Sequence, residues 1–221
     1  MNFYRQLRRE LLINARQPRV IINATLFFIM VSVFFPLALP ADSQMLRQFA
    51  PGLIWIAVLF AMMLASERIL QQDFDDGVLE QWAISGYPLQ RLIVAKIMVH
   101  WLLIILPILL FCPILAILFD FNTNTLLVLI LSLVCGTPAI LGLCTLAASF
   151  GLGLQQKGIL MALILLPLTI PVMIFGSGMV TMAMDEALIS AYLAILLALS
   201  LLAFAFLPYA IAAIIRISLA D

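Results

Sequence analysis

Residues 67–96 read ERILQQDFDDGVLEQWAISGYPLQRLIVAK, a long polar stretch inside an otherwise apolar sequence. It holds Glu67, Asp73, Asp75, Asp76 and Glu80, five of the eleven acidic residues of the chain. The apolar runs on both sides are long enough to cross a bilayer, so we expect the stretch to join two membrane helices. The sequence therefore predicts a short cytoplasmic segment held between two spans.

The centre of this stretch has the spacing of an amphipathic helix. Val78, Leu79 and Trp82 recur on one face. Asp75 and Asp76 would lie at the helix start, where free N–H groups favour negative charge. The sequence Ser85-Gly86-Tyr87-Pro88 would end the helix, because glycine suits a left-handed cap and proline cannot continue a helix.

Two interpretations of this helix remain open. As a coupling helix, it would insert Val78, Leu79 and Trp82 into a groove on a cytoplasmic ATPase. Asp75, Asp76 and Glu80 would then meet basic residues at the rim of that groove. Alternatively, the helix lies on the membrane with Trp82 as an interfacial anchor. The acidic residues favour coupling, because anionic lipid would repel them.

The composition predicts a membrane protein. Of 221 residues, 66% are hydrophobic and 10% are charged, whereas soluble domains carry about 25% charge. Six apolar segments approach the length needed for a span. They lie at about 20–40, 51–70, 97–119, 124–150, 158–181 and 189–215. We predict an all-α polytopic fold, a single transmembrane permease domain over 1–221 with a cytoplasmic coupling loop at 67–96.

Residues 1–17 are predicted to form an interfacial helix. Phe3, Tyr4, Leu7, Leu11 and Ala15 fall on one side, and the other side carries arginines. Such a helix lies in the headgroup layer with its basic side toward anionic lipid. Alternatively, the segment is only a positive flank that fixes the orientation of the first span.

The basic residues predict that both termini are cytoplasmic. With the N-terminus inside, ten of the eleven Lys and Arg residues face the cytoplasm and only Arg47 lies outside.

Several kinds of chemistry have no motif in this sequence. Gly151 to Gly158 is glycine-rich, but no Ser or Thr follows Lys157, so it is not a phosphate-binding loop. A tight turn between the fourth and fifth spans is the expected structure there. The three cysteines match no zinc spacing. We predict no catalytic residue and no metal site, with ATP hydrolysis in a separate subunit.

His100 is the single histidine of the chain. Its ring could bind haem iron as a ligand. Alternatively, beside Trp101 and after Lys96, it is an interface anchor with a hydrogen-bond partner. The spans otherwise lack charged residues at their centres, which disfavours an ion-coupled carrier.

Several stretches resemble the haem exporter protein B family (CcmB), the membrane subunit of an ABC-type complex in cytochrome c maturation. They occur in family order over most of the chain. They are APGLIWIAVLFAMMLASERIL at 50–70, DFDDGVLEQWAISGYPL at 73–89, LIVAKIMVHWLLIILPILL at 92–110, LLPLTIPVMIFG at 165–176 and YLAILLALSLLAFAFLPYAIAAIIRISL at 192–219. Where the family often has Gly-Ser-Leu-Glu, this chain has Val78 in place of the serine, which removes a hydroxyl cap.

The resemblance implies a six-span permease that pairs with a cytoplasmic ATP-binding subunit and with a second copy of itself. It also implies a haem-handling membrane subunit that loads a periplasmic chaperone, and a location in a bacterial inner membrane. Haem would be a transported or handled ligand rather than a firmly bound cofactor. Two other hypotheses remain open, a stand-alone channel or carrier and a scaffold that recruits the ATPase to the haem-handling partner.

Overall fold

The computed structural model describes residues 3–16, 18–38, 43–152 and 157–219, and every regular element in these ranges is an α-helix. The helices are α1 (Phe3–Arg16), α2 (Arg19–Ala38), α3 (Ser43–Ser66), α4 (Gln71–Asp75), α5 (Val78–Ile84), α6 (Leu89–Leu118), α7 (Thr123–Phe150), α8 (Lys157–Met184) and α9 (Ser190–Ser218). Helices α2, α3 and α6 to α9 supply six segments that are long and apolar enough to cross a membrane. The predicted all-α polytopic fold is confirmed.

Helix α7 lies at the centre of the bundle. It packs most extensively against α8 and α9, and it also contacts α3 and α6. Small residues such as Gly136, Ala139 and Gly142 line its buried side. In a membrane, small side chains let helix backbones approach closely, and this close packing drives helix association. The composition of α7 therefore explains why the other helices gather around it.

Trp55 of α3 fills a space between α7 and α8. Its indole ring is fully buried. A Cβ atom added at Gly136 would lie 2.6 Å from Trp55 Cη2, and one added at Gly176 would lie 2.2 Å from Trp55 Cζ2. These distances are far shorter than a normal carbon contact of about 3.5 Å. Two glycines on neighbouring helices thus form the slot that holds the tryptophan.

Polar side chains also join the helices around α7. Trp101 of α6 donates its Nε1–H to Thr137 Oγ1 of α7 at 2.8 Å. The Ser200 hydroxyl of α9 donates to the Cys135 carbonyl of α7. Within a bilayer these bonds have no competing water, and they fix the rotation of α6 and α9 against α7.

Two helices begin well before the predicted spans, and the first is α3, which begins at Ser43 rather than at about 51. Helix α6 begins at Leu89, whereas the sequence predicted a span from about 97. Arg91 and Lys96 therefore belong to a membrane helix rather than to the loop. The polar segment between α3 and α6 ends at Pro88, whose extended backbone precedes the first helical turn. The turn predicted near Gly151 to Gly158 lies mostly outside the described residues, which stop at 152 and resume at 157.

Helix α1 packs along α6, and it does so through polar side chains. Gln6 and Glu10 are buried, whereas Leu11 is exposed. The polar edge of α1 faces α6 because a charged partner lies there, and this arrangement leaves Leu11 free to face lipid. The side chains of Phe3, Tyr4 and Ala15 lie outside the described residues. A location in the headgroup layer stays a prediction.

Candidate docking site between α3 and α6

The polar loop contains two short helices rather than the single predicted helix. Helix α4 ends at Asp75, and the backbone N–H groups of Asp76 and Gly77 donate to carbonyls of its last turn. Gly77 has φ +69°, a left-handed conformation that glycine adopts without strain. This residue separates α4 from α5.

The glycine also changes the expected electrostatics of the loop. Asp75 and Asp76 lie at the carboxyl end of α4 and also directly before Gly77, the N-cap of α5. Their negative charge is unfavourable at the end of α4 and favourable before the first turn of α5, where the sequence analysis placed it. Glu80 is the acidic residue in the first turn of α5. The predicted stop after α5 is confirmed, because α5 ends at Ile84 and Gly86 is left-handed with φ +72°.

The apolar face of α5 packs against its own chain. Leu79 is 0% exposed and Trp82 is 5% exposed, and both belong to the hydrophobic core. Val78 is half-buried against the same core. The structure thus corrects the proposed insertion of Leu79 and Trp82 into a partner, because both side chains are already covered, whereas insertion of the half-buried Val78 stays a prediction. Leu79 and Trp82 hold α5 in place against α6 and the adjacent core.

A different set of residues is exposed on this loop, which we call the loop surface. It consists of Asp75, Asp76, Glu80, Gln81, Ile84 and Tyr87. Ile84 is 85% exposed and Tyr87 is 47% exposed. The loop surface therefore combines three carboxylates with two large apolar side chains, a composition suited to a protein partner with a basic rim around an apolar patch.

Sequence reasoning missed Ile84 and Tyr87, although helix periodicity could have identified the first. Ile84 follows Glu80 by four residues, so the two share a face. That face is opposite Leu79 and Trp82 on α5. Tyr87 lies beyond the end of the helix, where periodicity gives no information.

Lys96 lies beneath the loop surface and contacts three elements. Its Nζ atom is 2.7 Å from Asp73 Oδ2 of α4 and 3.3 Å from Glu10 Oε2 of α1. The Asp73 contact is an ion pair without the alignment of a good hydrogen bond. Nζ also lies 6.0 Å from the centre of the Trp82 ring of α5, at the outer limit of a cation–π contact.

The partners of Lys96 are themselves held in position. Gln6 Nε2 donates to Glu10 Oε1 at 2.9 Å within α1. Lys96 and Glu10 are both buried, and buried charges are costly unless they are paired. Sequence reasoning could not find this cluster, because Glu10 and Lys96 are 86 positions apart.

His100 lies one turn beyond Lys96 on α6. It is buried, and its Nε2 is 3.0 Å from the carbonyl oxygen of Ala65 in α3. When Nε2 carries the proton, it donates a hydrogen bond to this carbonyl, and Nδ1 is the ring nitrogen that does not take part in the bond. This is the hydrogen bond expected of an anchoring histidine. A haem-ligand role through Nε2 would require that bond to break, and it stays a prediction.

Within the described ranges, no group of three or more His, Cys, Asp or Glu residues has a geometry that could hold a metal ion. The region presents a charged and apolar outer surface, with a buried ion-pair cluster behind it.

Comparison with known proteins gives consistent matches over nearly the whole chain. The Heme exporter protein B of Pseudomonas aeruginosa is 39% identical over 215 residues, which cover 97% of this chain and 96% of that protein. The Heme exporter protein B of Haemophilus influenzae is 38% identical over 219 residues, covering 99% of each. The protein of the same name from Escherichia coli K12 is 37% identical over 219 residues, 99% of this chain and 100% of that protein.

A family model described as "CcmB protein" matches residues 1–218. This match includes both short helices of the loop, the Lys96 cluster and all six candidate spans. The chain therefore belongs to the CcmB family of proteins.

Proposed function

We propose that this chain is the membrane permease subunit of an ABC-type complex that exports haem or releases it to a periplasmic chaperone during cytochrome c maturation. The names of its full-length relatives support a role in haem export. The observation that carries the ABC assignment is the loop surface, a compact acidic and apolar patch on two short helices between membrane spans.

The partner at the loop surface is a cytoplasmic ATP-binding subunit. Glu80, Asp75 and Asp76 would pair with basic side chains on that subunit, and Ile84 would enter an apolar recess between them. Because the sequence carries no phosphate-binding loop motif, ATP is bound and hydrolysed by that partner. This chain then transmits the movement and is not itself an enzyme.

The remaining membrane partners are a second copy of this chain and a haem-handling subunit. Two differently tagged copies of the chain should co-purify from one membrane preparation if the complex holds two. Haem is the handled ligand and is not firmly bound to this chain, with His100 as the candidate contact. A haem absorption band that disappears in His100→Ala would assign that contact.

The docking assignment is tested by affinity purification from gently solubilised membranes. We expect wild-type chain to retain an ATP-binding subunit. Glu80→Lys and Ile84→Asp should lose most of it, because each reverses the character of the loop surface without entering the core. Asp185→Lys and Leu188→Asp are matched controls, since both residues are exposed near the amino end of α9.

The outcomes separate the three hypotheses. Loss of the ATPase with the loop variants but not with the controls supports docking at the loop surface. Absence of any ATPase from the wild-type preparation would contradict the ABC assignment and favour a stand-alone channel or carrier. If the ATPase binds but its ATP turnover is the same with and without this chain, the result supports the scaffold hypothesis.

A further inference from the structure

We propose that Lys96 is a positioning residue that makes α1 move together with the docking helices α4 and α5. This inference rests on the proposed docking function and identifies how the site acts on the rest of the chain. The observation behind it is that one buried ammonium group contacts side chains from α1, α4 and α5.

The first step is the location of Lys96. It lies about two turns into α6 and is buried. Its side chain therefore starts from a membrane helix and ends under the loop surface. When a partner on the cytoplasmic side displaces α4 or α5, the displacement is therefore transmitted to Lys96.

The second step is the geometry of the ion pairs. Asp73 belongs to α4, and Glu10 belongs to α1. Their carboxylates lie on the same ammonium group at 2.7 Å and 3.3 Å. Two anions brought this close repel each other when the cation is removed, so Lys96 is what keeps α1 and α4 together.

The third step concerns what α1 can pass on. Helix α1 also packs along α6, and α2 begins at Arg19, soon after α1 ends at Arg16. A displacement of α1 is therefore transmitted directly to the first candidate span. Through Lys96, movement of the loop surface reaches α6 and α2 at the same time.

The test uses the chain in complex with its ATP-binding subunit and measures the distance between spin labels at Arg9→Cys and Ala83→Cys, neither of which belongs to the loop surface. Both positions are exposed, one on α1 and one on α5. With Lys96 present, we expect this distance to stay the same when a non-hydrolysable ATP analogue is added. With Lys96→Met, we expect the distance to change on nucleotide addition, because α5 moves without α1.

Haem delivered per ATP hydrolysed gives a second readout. Lys96→Met should lower the ratio of haem delivered to ATP hydrolysed by at least about fivefold, which is the lower end of the effects that allosteric coupling between two sites produces. The amount of bound ATPase should stay unchanged, since the loop surface is intact. Lys96→Arg should restore delivery because it keeps the charge. Arg91→Met is the matched control, an exposed basic residue on the same helix.

Lys96→Met leaves two buried carboxylates unpaired, which could by itself cause misfolding, so a variant without unpaired charges is tested beside it. Glu10→Gln, Asp73→Asn and Lys96→Met together remove both anions and the cation, and they should still uncouple α1 from α5. If Lys96→Met or this triple variant keeps both the wild-type label distance and the wild-type delivery ratio, the inference is overturned. Failure of the wild-type chain to bind an ATPase would instead overturn the proposed function.

Discussion

Trp55 depends on two residues that have no side chain. Its indole occupies space that a Cβ atom at Gly136 or Gly176 would need. The sequence gives Trp55, Gly136 and Gly176 no visible relation, because they lie on three separate helices. Hydrophobicity could assign each of them to a span, but only the packed structure brings them into contact.

This contact leads to a prediction at the residue scale. Gly176→Ala should lower the free energy of unfolding by about 1–3 kcal/mol, because an added methyl group overpacks the slot that holds Trp55. The measurement is thermal unfolding of the purified chain in detergent. Gly52→Ala is the control, since a Cβ there meets no atom within 4 Å. Equal stability of the two variants would contradict the prediction.

At the element scale, α5 illustrates what the sequence could and could not predict. Periodicity correctly placed Leu79 and Trp82 on one face, and the Gly86 stop was also correct. Periodicity could not identify what covers that face, because an apolar stripe looks the same whether it meets its own chain or a partner. The break at Gly77 was missed because glycine is compatible with several local structures.

The burial of α5 predicts different consequences for adjacent residues. Leu79→Ala should destabilise the protein by about 2–5 kcal/mol, because it leaves a cavity at a fully buried position. Glu80→Ala should change stability by less than about 0.5 kcal/mol, because Glu80 is exposed. Unfolding in increasing denaturant compares the two variants. An undiminished stability of Leu79→Ala would mean that α5 is not held by this face.

At the scale of the whole molecule, the number and order of the spans followed from composition, whereas the contacts between them did not. Apolar length alone predicted six spans, which the helices confirm. The ion pair between Glu10 and Lys96 joins the first helix to α6, and no local pattern in the sequence links these positions. Long-range pairs of this kind require the structure.

The alternation of spans predicts an orientation that can be measured. With the N-terminus in the cytoplasm, Leu188 lies outside and Gln81 lies inside, because α8 and α3 run in opposite directions across the membrane. A membrane-impermeant maleimide added to intact spheroplasts should label Leu188→Cys and leave Gln81→Cys unlabelled until the cells are opened. Cys112 and Cys144 are buried and Cys135 is partly exposed, so the chain without an added cysteine is labelled in parallel to give the background. Labelling of Gln81→Cys in intact spheroplasts would show that the chain has the opposite orientation in the membrane.

The central position of α7 has a consequence for biosynthesis. During translation, α2, α3 and α6 enter the bilayer before α7, the helix on which α3, α6, α8 and α9 all pack. Since chains fold from the N-terminus as they emerge, α2, α3 and α6 can already pack on one another, but the faces of α3 and α6 that later contact α7 stay open to lipid. A ribosome that stalls before Thr123 leaves a fragment without its central helix, which membrane proteases can recognise and remove. The time between α6 and α7 insertion is thus the period in which the nascent protein is most vulnerable.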